Sequence, residues 1–192
     1  CPSAMGFKDQ QPAAYSPRTK LFYVPSNNLC MDYEGVEVSY TAGVPYVGAI
    51  VKTYPGPGGH AGAFIAWDAT TGKKVWENKE KWAAWGGALV TAGDVVFYGT
   101  MDGWFKALDA KSGQELWKFR TGAGIIGAPM TYVGPDGKQY IAILAGVGGW
   151  AGATVSQDLS LDDPTAALGA VNAFGGLKSE IPRSGMLFVF SL

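Results

Sequence analysis

Apolar positions along this chain gather into short runs broken by glycine, proline and aspartate. That pattern predicts many brief strands joined by tight turns, and no long helix. Phe64–Trp67 enters a turn and Lys73–Glu77 leaves it. Asp94–Thr100, the turn Met101-Asp-Gly103 and Trp104–Asp109 form a strand, a hairpin turn and a second strand, and Gln114–Arg120 adds a third. Ala128–Val133 and Lys138–Leu144 flank the turn Gly134-Pro-Asp-Gly137. Upstream, Tyr15–Val24 is a turn feeding a strand and Asn27–Tyr33 a further strand around Cys30. Val36–Tyr54 reads as a surface excursion ended by Pro55-Gly-Pro-Gly-Gly59, Asn78–Ala84 as a polar link, Gln157–Leu177 as a solvated loop and Gly185–Leu192 as a closing apolar strand.

Laid over this pattern is one phrase, Ala-x-Asp-x-x-x-Gly-x-x-x-Trp, present at Ala66–Trp76 and again at Ala107–Trp117. A period of about 40 residues is that of stacked four-stranded blades, each made of two hairpins. Asp and Gly supply the turn, Asp by bonding its own backbone and Gly by accepting positive φ. The alanine lets a neighbouring blade approach, and the indole offers a flat surface whose N–H can still find a carbonyl. The repeat therefore predicts the joint between blades.

Composition narrows the function classes. The chain has 192 residues, 47% hydrophobic and 16% charged, with a net charge of −1, a globular balance with no electrostatic footprint for nucleic acid or an anionic membrane. No apolar stretch approaches the roughly 20 residues of a membrane span. Twenty-eight glycines and seven tryptophans suit an all-β fold of tight turns. Position 1 is Cys and not Met, so the chain is expected to be part of a longer one.

Cys1 and Cys30 are either free core thiols or a disulfide tying the opening loop to the strand around Cys30. The disulfide is the expected state, worth about 3 to 4 kcal/mol, and implies an oxidising compartment such as the periplasm. Their spacing matches no zinc pattern, and the single His60 is read as a solvated loop residue without a role. Asp158, Asp162 and Asp163 read as solvated and not as a metal site. The glycines of Thr121–Gly127 have the wrong spacing for a dinucleotide fingerprint. Gly86 and Gly87 let the backbone pass close to whatever Trp85 faces.

Two clear copies, a worn one and a closing strand fall short of the four to eight blades a ring needs. Residues 1–192 are accordingly read as the C-terminal portion of one larger β-propeller domain, about three blades plus the closing strand.

Several independent motifs then converge: Cys1-Pro-Ser-Ala-Met-Gly6, Cys30-Met-Asp-Tyr-Glu34, Trp85-Gly-Gly-Ala-Leu-Val-Thr-Ala-Gly-Asp94 and Gly146-Val-Gly-Gly-Trp-Ala-Gly152. With the repeats, they closely resemble the C-terminal third of the large subunit of pyrroloquinoline-quinone (PQQ)-dependent methanol dehydrogenases, over nearly the whole chain. The resemblance implies an eight-bladed propeller that holds the quinone near its axis. It also implies oxidation of methanol or a similar primary alcohol to the aldehyde, electrons passing to a cytochrome c, a periplasmic location and a homodimer. Metal ligands and the catalytic base are expected upstream of Cys1, as are adjacent cysteines. Lys8-Asp-Gln-Gln-Pro-Ala-Ala14 is more similar to the lanthanide-dependent members, with calcium the alternative metal. Onto this sequence the resemblance carries Asp9 and Trp85 as cofactor contacts, Trp150 as a cofactor and pocket residue, and Leu168 as pocket wall. Blade packing is the competing reading of Trp85 and Trp150. A non-catalytic scaffold or binding propeller of the cell envelope is the competing reading of the whole, since fold alone does not fix function.

Overall fold

A computed structural model describes residues 1–43, 48–149, 151–152 and 173–191. The strands in chain order are β1 Ala14–Ser16, β2 Leu21–Asn27, β3 Leu29–Gly35, β4 Ala49–Pro55, β5 Gly62–Asp68, β6 Lys73–Glu80 and β7 Ala88–Val90. They continue with β8 Val95–Gly99, β9 Trp104–Asp109, β10 Glu115–Arg120, β11 Met130–Val133, β12 Gln139–Ala145 and β13 Met186–Ser191, and the short helix α1 Leu177–Glu180 precedes β13. They assemble into four-stranded sheets β1-β2-β5-β6 and β7-β8-β9-β10, a three-stranded sheet β11-β12-β13 and a separate hairpin β3-β4. Every ladder between these strands is antiparallel.

The structure amends the expected boundaries at three places. The stretch read as a solvated loop to Leu177 ends in buried residues, Ala173, Phe174 and Leu177 packing into an apolar cluster and Leu177 opening α1. The excursion after Cys30 is a hairpin, β3 pairing with β4 from Leu29↔Pro55 to Gly35↔Ala49. The link after the first repeat is shorter and less polar than expected: β6 continues to Glu80, and Trp82, Ala83 and Ala84 are buried.

The cores lie between sheets. Between the first and second, Tyr23, Phe64 and Ala66 meet Val96, Tyr98 and Leu108, and the Phe64 and Tyr98 rings stack with centroids 4.0 Å apart. Between the second and third, Phe97 and Phe105 meet Ile141 and Ile143. Strands covered on both faces lose the alternation of a half-exposed strand, which is why β5 is apolar at consecutive positions.

The repeat forms the joint it predicts. Asp68 Oδ1 accepts from the Thr70 N–H at 2.8 Å and its hydroxyl at 2.7 Å. These bonds hold its pKa at about 2, the Thr70 hydroxyl being the main cause. Asp109 repeats the device on the Ser112 N–H and hydroxyl. Trp76 of the first copy then docks on the second: its indole N–H donates to Ala110 O at 3.1 Å, and its ring lies over Gly113, where a Cβ would come within 2.6 Å of the indole. Asn78 adds a bond to Gly113 O at 2.7 Å. Deeper in the same joint, Glu80 Oε1 accepts from the Tyr98 hydroxyl at 2.6 Å and Lys106 Nζ at 2.7 Å. Burial first, then the Glu80 charge, pushes the Tyr98 phenol well above its ordinary pKa.

Trp117, the same position of the second copy, is 40% exposed. It faces an apolar trough of about 640 Å³ lined by Phe97, Phe105, Leu116 and Phe190. The third sheet ends at β13, whose outer edge pairs with no strand among the described residues.

In the complete protein carrying this chain, Trp76→Phe should cost about 1 kcal/mol, the worth of the lost hydrogen bond. Gly113→Ala should cost more, because its φ of +73° and the indole both oppose a side chain. Thermal denaturation of both variants checks the order; a neutral Gly113→Ala would contradict the docking.

Candidate functional site

One end of the sheets carries short turns, the two repeat turns among them. The other end carries the longer connections, residues 1–13, 28–61, 81–87, 121–129 and 146–185, together with the short turn 100–103. One cluster of buried residues draws on most of these connections, with Leu29, Ala61, Trp82, Trp85, Met101, Phe174, Leu177 and Ile181 among its members. Long loops held by a rigid scaffold are where binding residues concentrate.

The opening loop is anchored first. Cys1 and Cys30 form a disulfide, as expected. Beside it the Ser3 N–H donates to Leu29 O at 2.8 Å and the Asn27 N–H to Phe7 O at 2.6 Å. The loop then lies along the connection that carries Trp85. Gln11 Nε2 donates to Ala84 O at 2.9 Å and the Ala88 N–H to Pro12 O at 2.9 Å. Gly87 admits the Pro12 ring, since a Cβ there would sit 2.7 Å from it, and a Cβ on Gly86 would sit 2.9 Å from Gly99 O. Close backbone approach at this glycine pair is thus as the sequence predicts. Asp9 and Trp85 therefore stand on two loops bonded to each other. Asp9 is exposed, whereas Trp85 is 5% exposed and meets Phe174 edge to face at 5.4 Å. Trp85 does not occupy the inter-sheet joint that Trp76 fills. Trp150 and Leu168 lie outside the described residues, as do Asp158, Asp162 and Asp163.

Some polar groups here carry no sequence signal. Gln11 sits in a run of exposed polar residues yet is 2% exposed. Asn27 is as deeply buried, with neither amide atom hydrogen-bonded among the described residues. A buried polar group left unpaired costs about 1 to 3 kcal/mol, so this amide is poised for a polar partner. His60 corrects the solvated reading: Nδ1 is buried without a partner because the Pro55–Gly59 turn folds back, Asn28 Nδ2 donating to Pro57 O at 3.0 Å and His60 O at 2.8 Å. Among the described residues no group of three or more His, Cys, Asp or Glu could hold a metal ion, and no helix is long and apolar enough to cross a membrane.

The stretch before β13 closes over the Trp85 connection through Glu180. Its carboxylate accepts from Lys81 Nζ and from the Trp82 indole N–H at 3.1 Å. The Lys81 bond is the largest cause of a lowered Glu180 pKa, with the indole adding to it against the effect of burial.

A depressed carboxylate contributes stability above its ordinary pKa of 4.5, and loses it as pH falls through the folded value. In the complete protein, hydrogen-exchange protection of residues 173–181 should therefore be full at neutral pH and fall below about pH 4.5 in the wild type. Glu180→Ala should be poorly protected already at pH 7; equal protection of the two proteins there would refute the clamp.

Comparison with known proteins is consistent along the whole chain. Residues 78–141 match the family described as glucose/ethanol/alcohol dehydrogenase, beta-propeller domain. The lanthanide-dependent methanol dehydrogenase of Methylacidiphilum fumariolicum is 57% identical over 100% of this chain and 32% of its own length. Subunit 1 of the methanol dehydrogenase [cytochrome c] of Methylobacterium organophilum is 48% identical over 100% of this chain and 31% of its own. A solved europium-containing methanol dehydrogenase superposes with a TM-score of 0.92 at 58% identity, covering 100% of this chain and 34% of that one. The chain thus spans about a third of the length of the relatives it matches.

Proposed function

We propose, from the premise that this chain belongs to the family of pyrroloquinoline-quinone-dependent methanol dehydrogenases, that it supplies one wall of the cofactor and substrate site of a periplasmic alcohol dehydrogenase. The observation that carries the reading is identity of 57% over 100% of the chain with a lanthanide-dependent methanol dehydrogenase.

The residues present fit a flat ligand with polar edges. An indole, an acidic side chain and an unsatisfied buried amide, those of Trp85, Asp9 and Asn27, stand on or beside connections at one end of the sheets. When bound, PQQ with a lanthanide ion, or calcium in its place, would supply the two-electron acceptor and the Lewis acid for oxidising methanol or a similar primary alcohol. Trp85 would orient the ligand, its indole N–H being a donor only and thus suited to an acceptor on the ring's edge. Asp9, on the neighbouring loop, would supply a second polar contact. Phe174, Met101 and Trp82, buried around Trp85, exclude water from that side. Trp150 and Leu168 are assigned to the substrate pocket by the family resemblance alone. Metal ligands and the proton-accepting base belong to the part of the protein outside this chain, and a cytochrome c receives the electrons.

In the complete protein, Trp85→Phe should lower turnover about tenfold, the loss expected for one hydrogen bond to a reacting group, and shift the absorbance of the bound quinone. Unchanged turnover and spectrum would remove Trp85 from the site. A complete protein purified without quinone and without stoichiometric metal would overturn the enzyme reading in favour of a scaffold.

A further inference from the structure

We infer that Gln11 is a positioning residue that fixes Asp9 and Trp85 relative to each other before any ligand arrives; the inference rests on the reading of those two residues as cofactor contacts. Gln11 stands out because every neighbour from Lys8 to Ala13 is exposed while it alone turns inward, to 2% exposure. Both ends of its amide are used. Oε1 accepts the Asp9 N–H at 3.1 Å, and Nε2 donates to the carbonyl of Ala84, the residue before Trp85, at 2.9 Å. The loop supports the side chain in turn, with Lys8 Nζ donating to Gln11 O at 2.7 Å and Asp9 O at 3.1 Å. One rigid amide thus spans from the backbone of one proposed contact to the residue adjoining the other.

The chemistry leaves few substitutes. The site needs an acceptor and a donor on one planar group at this reach. Asn is a methylene short, Glu has no donor while ionised, and Met fills the volume without either bond. Because the amide is buried, water does not stand in for a lost partner, and an unmade bond leaves Ala84 O or the Asp9 N–H unsatisfied. Holding both loops in the bound geometry beforehand removes an ordering cost from ligand binding. Mutating residues that orient metal-binding groups typically costs about 10- to 100-fold in affinity or activity, and the lower end of that range is taken for Gln11.

The test uses the complete protein with its cofactor, comparing wild type, Gln11→Glu, Gln11→Met and the neighbouring control Gln10→Ala. Two quantities are followed: the rate of quinone loss by absorbance, and hydrogen exchange of residues 8–12 and 84–88. Gln11→Met should release quinone about tenfold faster at every pH. Gln11→Glu should match it at pH 7.5 but return towards wild type as the buried carboxyl, whose pKa burial raises, is protonated and regains a donor to Ala84 O. Recovery of quinone retention should be matched by recovered protection of residues 8–12 and 84–88 together, which a general loss of stability would not confine to those two loops. Release from both variants at the wild-type rate, or a Gln11→Glu defect independent of pH, would overturn the assignment. If Gln11→Met does not fold, the Gln11→Glu profile decides. If the wild type carries no quinone, the cofactor reading of Asp9 and Trp85 fails, and exchange alone judges Gln11: joint loss of protection of the two loops in Gln11→Met or Gln11→Glu supports the tie, and unchanged protection overturns it.

Discussion

The sheets of this chain are apolar on both faces, and the rest of the architecture follows from the need to cover them. The middle sheet meets the requirement from both sides, through the Phe64–Tyr98 stack on one face and Phe97 and Phe105 against Ile141 on the other. The outer sheets do not. Phe22 and Trp67 of the first, and Tyr132, Val133 and Leu187 of the third, are exposed, and contiguous exposed apolar area of this kind marks a surface meant for a partner. Further blades on either side are the simplest cover. The family match, in which the chain accounts for 32% of a relative's length, agrees with that reading.

The two ends of the stack are built for different work. At one end, short turns repeat an aspartate that caps the turn, and in the second copy Gly113 lies under the indole of the preceding blade. Such turns have little freedom and carry no buried unpaired groups. At the other end, long connections converge on a shared apolar cluster beside Asn27, the last residue of β2, and include Gln11, whose amide is bonded at both ends. Polar groups are tolerated in a core when satisfied, and when unsatisfied they point to something else that satisfies them. The repeated end secures spacing, which lets the variable end hold specific side chains in place.

The ties at the variable end also differ in kind. The disulfide and the backbone bonds around Ser3 and Asn27 fix the opening loop covalently and by the main chain. Gln11 and Glu180 instead act through side chains, one neutral and buried, one charged and partly exposed, on different residues of the Trp85 connection. Loops are thereby held without being made part of a sheet, leaving their side chains free to face a ligand.

The joint between blades was legible in the sequence because its parts are local: a turn at fixed spacing, with a small residue before it and an indole after it, recurs at Ala66–Trp76 and Ala107–Trp117. The close approach at Gly86 and Gly87 was legible for the same reason, since a glycine pair beside an indole advertises a tight backbone contact. The partners were not legible. That Trp76 meets Gly113, that Gln11 reaches Ala84 and that Glu180 reaches Lys81 and Trp82 depends on how separate sheets and connections are stacked. Nor does composition distinguish Gln11 from Gln10, one buried and the other exposed. Periodicity and turn chemistry act within a few residues and so are written into the chain. Burial and the pairing of distant polar groups are set by the approach of elements far apart in sequence, and only the tertiary structure decides them.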